Sequence, residues 1–337
     1  MGVQISKILP KKEIEIEDLT ERVIAVDAFL WLHQFLSIIR QPDGTPLKDS
    51  KGRVTSHLSG IFYRSAKLIE KNVKLVWVFD GLPPSFKSRT TEERRAIKSE
   101  ARKKWDESLK RGDLIEARKA AQATVVLNQD IIEQAKKLIE YMGMMVVQAP
   151  SEGEAQCAFM CQKNLAYAVA SQDSDSLLFN SPRLIRNLSI TGKRKLPRKG
   201  IFVDIKPELI ELKGVLKELG IKREQLIILS LLVGTDYNPG IKGIGPVKAL
   251  KLVKKEKTLN KVLKNIEWEH YIPAEDIYEI FLNPPVNDVK KIEFKTIDSD
   301  KIINMLVDEH EFSRERIDKV LKSLTENKQK TLGNWFK

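Results

Sequence analysis

Apolar residues fall in short unbroken runs separated by stretches of helical period. RVIAVD at 22–27, VKLVWVFD at 73–80, MMVVQA at 144–149 and LAYAVAS at 165–171 are short and rich in β-branched residues. That is the pattern of strands buried on both faces. Alternation of such strands with helical segments predicts an α/β fold, with a mainly parallel central sheet and helices on both faces. Sheets of this kind carry their chemistry at the carboxyl ends of the strands.

Between Glu92 and Ala121 the pattern changes. RTTEERRAIKSEARKKWDESLKRGDLIEARKAA is strongly helix-forming, but its apolar residues are too sparse for a wide core stripe. These helices are expected to stand largely in solvent and to order around a partner. A third region starts near Val215 and runs through LIILSLLVGTD into PGIKGIGPVKALKLVKKEK, two helical stretches joined by a glycine-rich hairpin. Further helix follows to about Lys322, interrupted at FLNPPVND, and then a polar tail ends in QKTLGNWFK.

At 337 residues the chain has ample apolar sequence for a packed core without covalent staples. Its two cysteines, Cys157 and Cys161, stand four apart in a helical segment and read as small core residues. There are 58 basic and 46 acidic residues, a formal charge of +12 and a pI near 9.4. Such an excess suits a polyanionic partner or simple solubility. No apolar run approaches the length of a membrane span and the first residues lack a signal-peptide core, so an intracellular protein with no membrane partner is expected. The opening MGVQIS fits the short pattern for myristoylation, unsupported by any second membrane signal.

The acids carry the most information. Asp27 and Asp80 end the first two strand runs, Glu152 and Glu154 follow the third, Asp173 and Asp175 follow the fourth, and Asp236 closes an apolar helical run. In a parallel sheet those ends share one rim. Seven carboxylates crowded there raise one another's pKa or require a cation. Hard oxygen ligands select magnesium, with manganese as substitute, over zinc, and none of the four histidines falls in these segments. The excess of ligands over one site suits two ions about 4 Å apart, the arrangement that serves phosphodiester hydrolysis. Taken singly, each aspartate is equally a turn former or helix N-cap.

FDGLPPSFK at 79–87, APSEGEAQ at 149–156, ASQDSDSLLF at 170–179, RNLSITGKRKLP at 186–197 and LLVGTDYNPGIKGIG at 231–245 closely resemble the flap endonuclease family, among the XPG-like 5′ nucleases. The resemblance spans the chain and is archaeal in its short tail. It implies a PIN-like core, a helical arch, a helix-hairpin-helix element, two Mg2+ ions, and cleavage beside the single-strand/double-strand junction of a 5′ flap, with associated 5′ exonuclease activity, in replication and repair. The family's metal ligands fall on the same seven acids. Lys87 and Arg94 match its basic residues aimed at the scissile phosphate, with Arg95 as the alternative to Arg94. Gly2 matches the glycine that packs beside the site once Met1 is removed.

The resemblance also organises the chain as one nuclease domain, 1–325. Residues 1–84 and 123–214 form the core, 85–122 the arch, 215–325 the hairpin and C-terminal helices, and 326–337 a flexible tail. For a cytoplasmic or nucleoid enzyme the partner is branched DNA. Gly240, Gly243 and Gly245 resemble the hairpin that grips phosphates through backbone N–H groups, followed by Lys248 and Lys251, and in the family a monovalent cation assists it. The cluster at 192–200, with Lys193, Arg194 and Lys195, reads as a basic loop suited to duplex backbone. The stretch from about Gln41 to Thr55 matches the family's wedge.

Gln329, Leu332, Trp335 and Phe336 fit the Q-x-x-L-x-x-aromatic-aromatic peptide by which replication proteins dock on the sliding clamp (PCNA). Their spacing puts the apolar three on one face of a helical turn. Competing readings are a 5′ exonuclease or bubble-specific relative using the same site, a non-catalytic DNA scaffold, and a PIN-type ribonuclease. The intact acids oppose the scaffold, and the hairpin and clamp peptide oppose the ribonuclease.

Overall fold

The four apolar runs form adjacent strands. Number the strands β1 (Lys12–Glu13), β2 (Val23–Asp27), β3 (Lys74–Phe79), β4 (Met145–Gln148), β5 (Ala168–Ala170), β6 (Arg183–Arg186), β7 (Gly192–Lys195), β8 (Phe202–Ile205) and β9 (Glu208–Glu211). The main sheet then has the order β1-β9-β6-β5-β2-β3-β4. From β6 to β4 every pairing is parallel, and β9 and β1 add an antiparallel edge. The computed structural model describes residues 3, 5–82, 88–190, 192–195 and 202–333, excluding the side chains at 88–97, 193–195, 202–203 and 327–333.

Side-chain alternation along each strand divides the core into two layers. Ala25, Val76, Val78, Val147 and Val169 face helices α6 (Gly153–Gln162), α7 (Asp175–Leu178), α8 (Leu212–Leu219), α9 (Arg223–Val233), α10 (Pro246–Glu256) and α12 (Ala274–Leu282), with α11 (Leu259–Leu263) beside α10. Ile24, Val26, Leu75, Trp77 and Phe79 face α1 (Ala28–Ile38), α2 (Ser56–Ile69), α5 (Gln129–Tyr141), α13 (Ser299–Ile303) and α14 (Arg314–Gly333). Trp31 and Trp77 meet edge-on at 5.3 Å at the centre of that second layer. Cys157 and Cys161 are buried free thiols on α6, as core residues should be. Among the described residues no helix is long and apolar enough to cross a membrane.

The chain runs β2, β3, β4 to one side and then returns to the other side of β2 as β5. This reversal opens a crevice at the carboxyl ends of β2, β3 and β5, where an open α/β sheet binds its ligands.

Three expectations change. The arch segment is helical, as α3 (Ser88–Lys110) and α4 (Leu114–Gln122), and carries its own small core of Trp105, Ala117 and Ala121. Trp105 Nε1 donates to the Asp43 carbonyl at 3.0 Å, so this pair docks on the loop after α1. Gly44 is required there: at φ +88, a Cβ would stand 2.8 Å from the Ala121 side chain. The basic stretch at 192–195 is a strand, not a loop. It pairs antiparallel with β8, whose aromatic and β-branched Phe202, Val203 and Ile205 favour extended backbone. Finally, α14 continues to Gly333 instead of yielding to a tail near 326, because no proline or glycine interrupts the sequence before Gly333.

Candidate active site

The acids reach the crevice from five segments. Asp27 is the last residue of β2 and Asp80 follows β3. Asp27 also behaves as an ordinary N-cap: its Oδ1 accepts the Leu30 N–H of α1 at 3.1 Å. Asp80 Oδ1 accepts the Gly153 N–H at 2.8 Å, and a Cβ on Gly153 would lie 2.5 Å from that oxygen. The glycine between Glu152 and Glu154 therefore lets the start of α6 press against Asp80.

Glu154, Asp173 and Asp175 bring carboxylate oxygens within 4.8 Å of one another. Asp175 Oδ1 accepts the Val3 N–H at 3.1 Å, so the N-terminal segment reaches the rim. Ser171 sits between the acids. Its hydroxyl donates to Glu154 Oε1 at 2.8 Å, lies 3.4 Å from Asp27 Oδ2, and accepts the Asp173 N–H at 3.1 Å. Asp236 stands in the turn after α9, and the Tyr237 hydroxyl donates to Glu152 Oε1 at 2.8 Å.

The electrostatics match this crowding. Burial, then the carboxylates of Asp80 and Asp173, push Asp27 up to about 8. Glu154 is raised well above the ordinary range by burial and then by Asp173, Asp27 and Asp175. Burial and Asp236 raise Asp173, while burial, Asp173 and Asp236 raise Asp175 well above its usual value. Burial and Glu152 keep the Tyr237 phenol protonated. A cluster of hard oxygen donors that resist ionising together fits a divalent cation, which would neutralise the very charges that oppose one another.

Ser171 and Tyr237 are the residues that the acid pattern alone does not find. Both are ordinary polar residues in sequence, and the only hint is adjacency: Ser171 precedes Asp173 by two and Tyr237 follows Asp236.

The glycine-rich hairpin has the local geometry its sequence demands. Gly240 adopts φ +81, where a Cβ would meet the Val233 carbonyl oxygen at 2.4 Å. Gly243 also has positive φ, and Gly245 is the N-cap of α10 with Pro246 at its first turn. Lys248 donates to the Gly243 carbonyl at 3.0 Å, and Lys248 and Lys251 are exposed while Ala249 and Val253 pack inward.

Several sequence-predicted residues fall outside this geometry. Gly2, Lys87, Trp335 and Phe336 lie outside the described residues. Arg94 and Arg95 are on α3, Lys193, Arg194 and Lys195 on β7, and Gln329 and Leu332 on α14, with side chains outside the description.

Known proteins place this arrangement in the XPG class of nucleases: residues 1–101 match the XPG N-terminal domain and residues 143–236 the XPG I-region. A flap endonuclease 1 from Thermococcus onnurineus is 54% identical over all of this chain and 99% of its own. Its counterpart from Pyrococcus furiosus is also 54% identical, with both chains covered in full. The chain belongs to the flap endonuclease family. The solved flap endonuclease-1 from Methanococcus jannaschii superposes with a TM-score of 0.76 at 39% identity, over 97% of this chain and 98% of that one. The catalytic core of Rad2, solved with DNA substrate, shares the PIN-like fold at 24% identity and a TM-score of 0.73, over 96% of this chain and 100% of that one.

Proposed function

We infer that this protein is a metal-dependent, structure-specific endonuclease that hydrolyses DNA beside the single-strand/double-strand junction of a 5′ flap. The observation that carries the reading is the group of Glu154, Asp173 and Asp175, whose carboxylate oxygens lie within 4.8 Å of one another, with Asp27, Asp80 and Asp236 near enough to shift one another's or the group's ionisation. Full-length relatives that bear the name of that activity support it.

Asp27, Asp80, Glu152, Glu154, Asp173, Asp175 and Asp236 would hold two Mg2+ ions. Bound there, the ions supply the Lewis acidity that activates water and stabilises the leaving oxygen of a phosphodiester. Ser171 orients Glu154, and Asp80 is oriented by the Gly153 N–H. Lys87 and Arg94, matched to the family's arch-base cations, would face the scissile phosphate, and Gly2 would pack beside it.

Duplex binding falls to the hairpin at Gly240, Gly243 and Gly245 and to Lys248 and Lys251. These offer backbone N–H groups and exposed ammonium groups without base-reading side chains. A monovalent cation at the hairpin and backbone contacts from Lys193, Arg194 and Lys195 complete that surface. Gln329, Leu332, Trp335 and Phe336 form the docking peptide for a sliding clamp, carried at the end of α14.

The reading is tested by single-turnover cleavage of a labelled double-flap DNA with and without Mg2+. One incision near the junction, absent in chelator, is expected. Degradation without junction preference would refute structure specificity.

A further inference from the structure

Tyr237 and Asp236 leave the same turn between α9 and α10, and the Tyr237 hydroxyl reaches across to Glu152 on α6 at 2.8 Å. We propose that Tyr237 is a positioning residue: its hydroxyl fixes the orientation of the Glu152 carboxylate and ties the base of the glycine-rich hairpin to the metal rim. The inference rests on the reading of the seven acids as metal ligands.

Glu152 occupies the N-cap position of α6, yet its side chain makes no cap hydrogen bond. The donor, Tyr237, is fixed from two directions. On the backbone side, Thr235 N–H donates to the Asn238 carbonyl at 2.9 Å and Tyr237 N–H to Thr235 Oγ1 at 3.1 Å. Thr235 Oγ1 donates to Asn238 Oδ1 at 2.8 Å, and Asn238 Nδ2 to the Leu231 carbonyl at 2.8 Å, which pins the turn to α9. Gly234 and Gly240, at φ +115 and +81, bring the two ends of the turn into backbone contact that a side chain would prevent.

On the ring side, Tyr237 is buried and meets Phe281 edge-on at 5.7 Å, and Phe281 packs against Phe179 with tilted rings 5.0 Å apart. A phenol so held is a fixed donor to one oxygen of Glu152. Outer hydrogen bonds of this kind set ligand orientation, and losing one typically weakens metal affinity by about 10- to 100-fold.

Because the turn leads directly into the hairpin, a strain on the hairpin is transmitted to Glu152 through one hydrogen bond. The turn thus contributes both a candidate ligand, Asp236, and an orienter, Tyr237, to the rim.

The test is calorimetric titration of Mn2+ into the DNA-free full-length protein, for the parent, Tyr237→Phe, Glu152→Gln and the double variant. Tyr237→Phe keeps the ring against Phe281 and removes only the hydroxyl. It should weaken Mn2+ binding about tenfold, and should add nothing further in the Glu152→Gln background. A parent that binds no Mn2+ overturns the metal-site reading and the inference with it. A parent that binds, with Tyr237→Phe unchanged, overturns the inference alone. So does an equal loss in both backgrounds, because Tyr237 then does not act through Glu152. Tyr237→Leu separates packing from positioning: matching affinity losses in Phe and Leu variants support the hydroxyl, whereas a loss confined to Leu contradicts it.

Discussion

His310 Nδ1 lies 3.0 Å from Asp49 Oδ2, and both side chains are withdrawn from solvent although 261 residues separate them. Burial pushes the Asp49 carboxyl upward, but hydrogen bonds from the Arg53 N–H, His310 and the Arg53 side chain outweigh it and hold Asp49 at about 2. Ser50 N–H donates to Glu311 Oε2 at 2.8 Å, and Arg53 donates to the Glu309 carbonyl. The loop before α2 is thereby clasped to the segment that precedes α14. His310→Ala leaves Asp49 without one of its buried partners and should lower the melting temperature by roughly 4 to 8 °C. Differential scanning calorimetry checks this, and an unchanged transition would mean that the clasp contributes nothing.

Acid sensitivity should centre on His57, which is fully buried with Nε2 3.0 Å from Gln134 Oε1. Its Nδ1 meets no hydrogen-bond partner among the described residues. Burial, reinforced by the nearby His310, pushes His57 down to about 4, despite the opposing hydrogen bond to Gln134. Above about pH 6.5 the ring is neutral folded and unfolded, so it has no effect on stability. As pH falls, the unfolded chain takes the proton first, and stability drops progressively until the folded pKa is passed, by about 3 kcal/mol in all. Urea midpoints between pH 7 and 4 should fall more steeply in the parent than in His57→Gln. Parallel slopes would remove His57 from the account.

Asp173→Asn tests the crowded rim from its stability side. Removing one of several mutually repelling carboxylates should raise the melting temperature of the metal-free protein while abolishing the stabilisation that Mg2+ confers by binding only the folded state. Cleavage should fall on the order of a thousandfold or more, with DNA affinity kept. A variant that still gains stability from Mg2+ and still cuts would show that Asp173 is not a ligand.

How much of this was legible in the sequence follows from what each feature depends on. Strands β2, β3, β4 and β5 announce themselves because their apolar runs leave no polar alternation, whereas β1, β6 and β9 are short, carry charged residues at their ends and were not read from the sequence. The acids were legible for the same reason, since a carboxylate ending such a run has one rim to occupy. Trp105 was not, because its partners at Asp43 and Gly44 are about sixty positions away and its own helix is otherwise charged. The strand at Lys193–Lys195 was hidden because its extended form is imposed by β8 and not by its own lysines and arginine. Ser171 and Tyr237 carry no charge to mark them, and their role exists only in the folded geometry.

Removing residues Gln329–Lys337 should separate two activities. None of the seven acids is in that segment, so Mg2+-dependent cleavage of a free flap substrate should be nearly unchanged, while affinity for the cognate sliding clamp is lost with Leu332, Trp335 and Phe336. Isothermal titration with the clamp decides: equal affinity for both forms would exclude the peptide as the dock, and a lowered melting temperature after truncation would mean that its aromatics pack on the protein itself.

That the seven acids at the carboxyl ends of the central strands and their neighbouring turns form a metal site which cuts at a flap junction is tested most directly by mapping products on a double-flap DNA labelled at each end. With Mg2+ the parent should release one discrete 5′ flap product cut beside the junction, and Asp173→Asn should release none at the same DNA occupancy. Cleavage that persists in excess chelator, or an Asp173→Asn variant that yields the same product at the parent rate, would contradict the account.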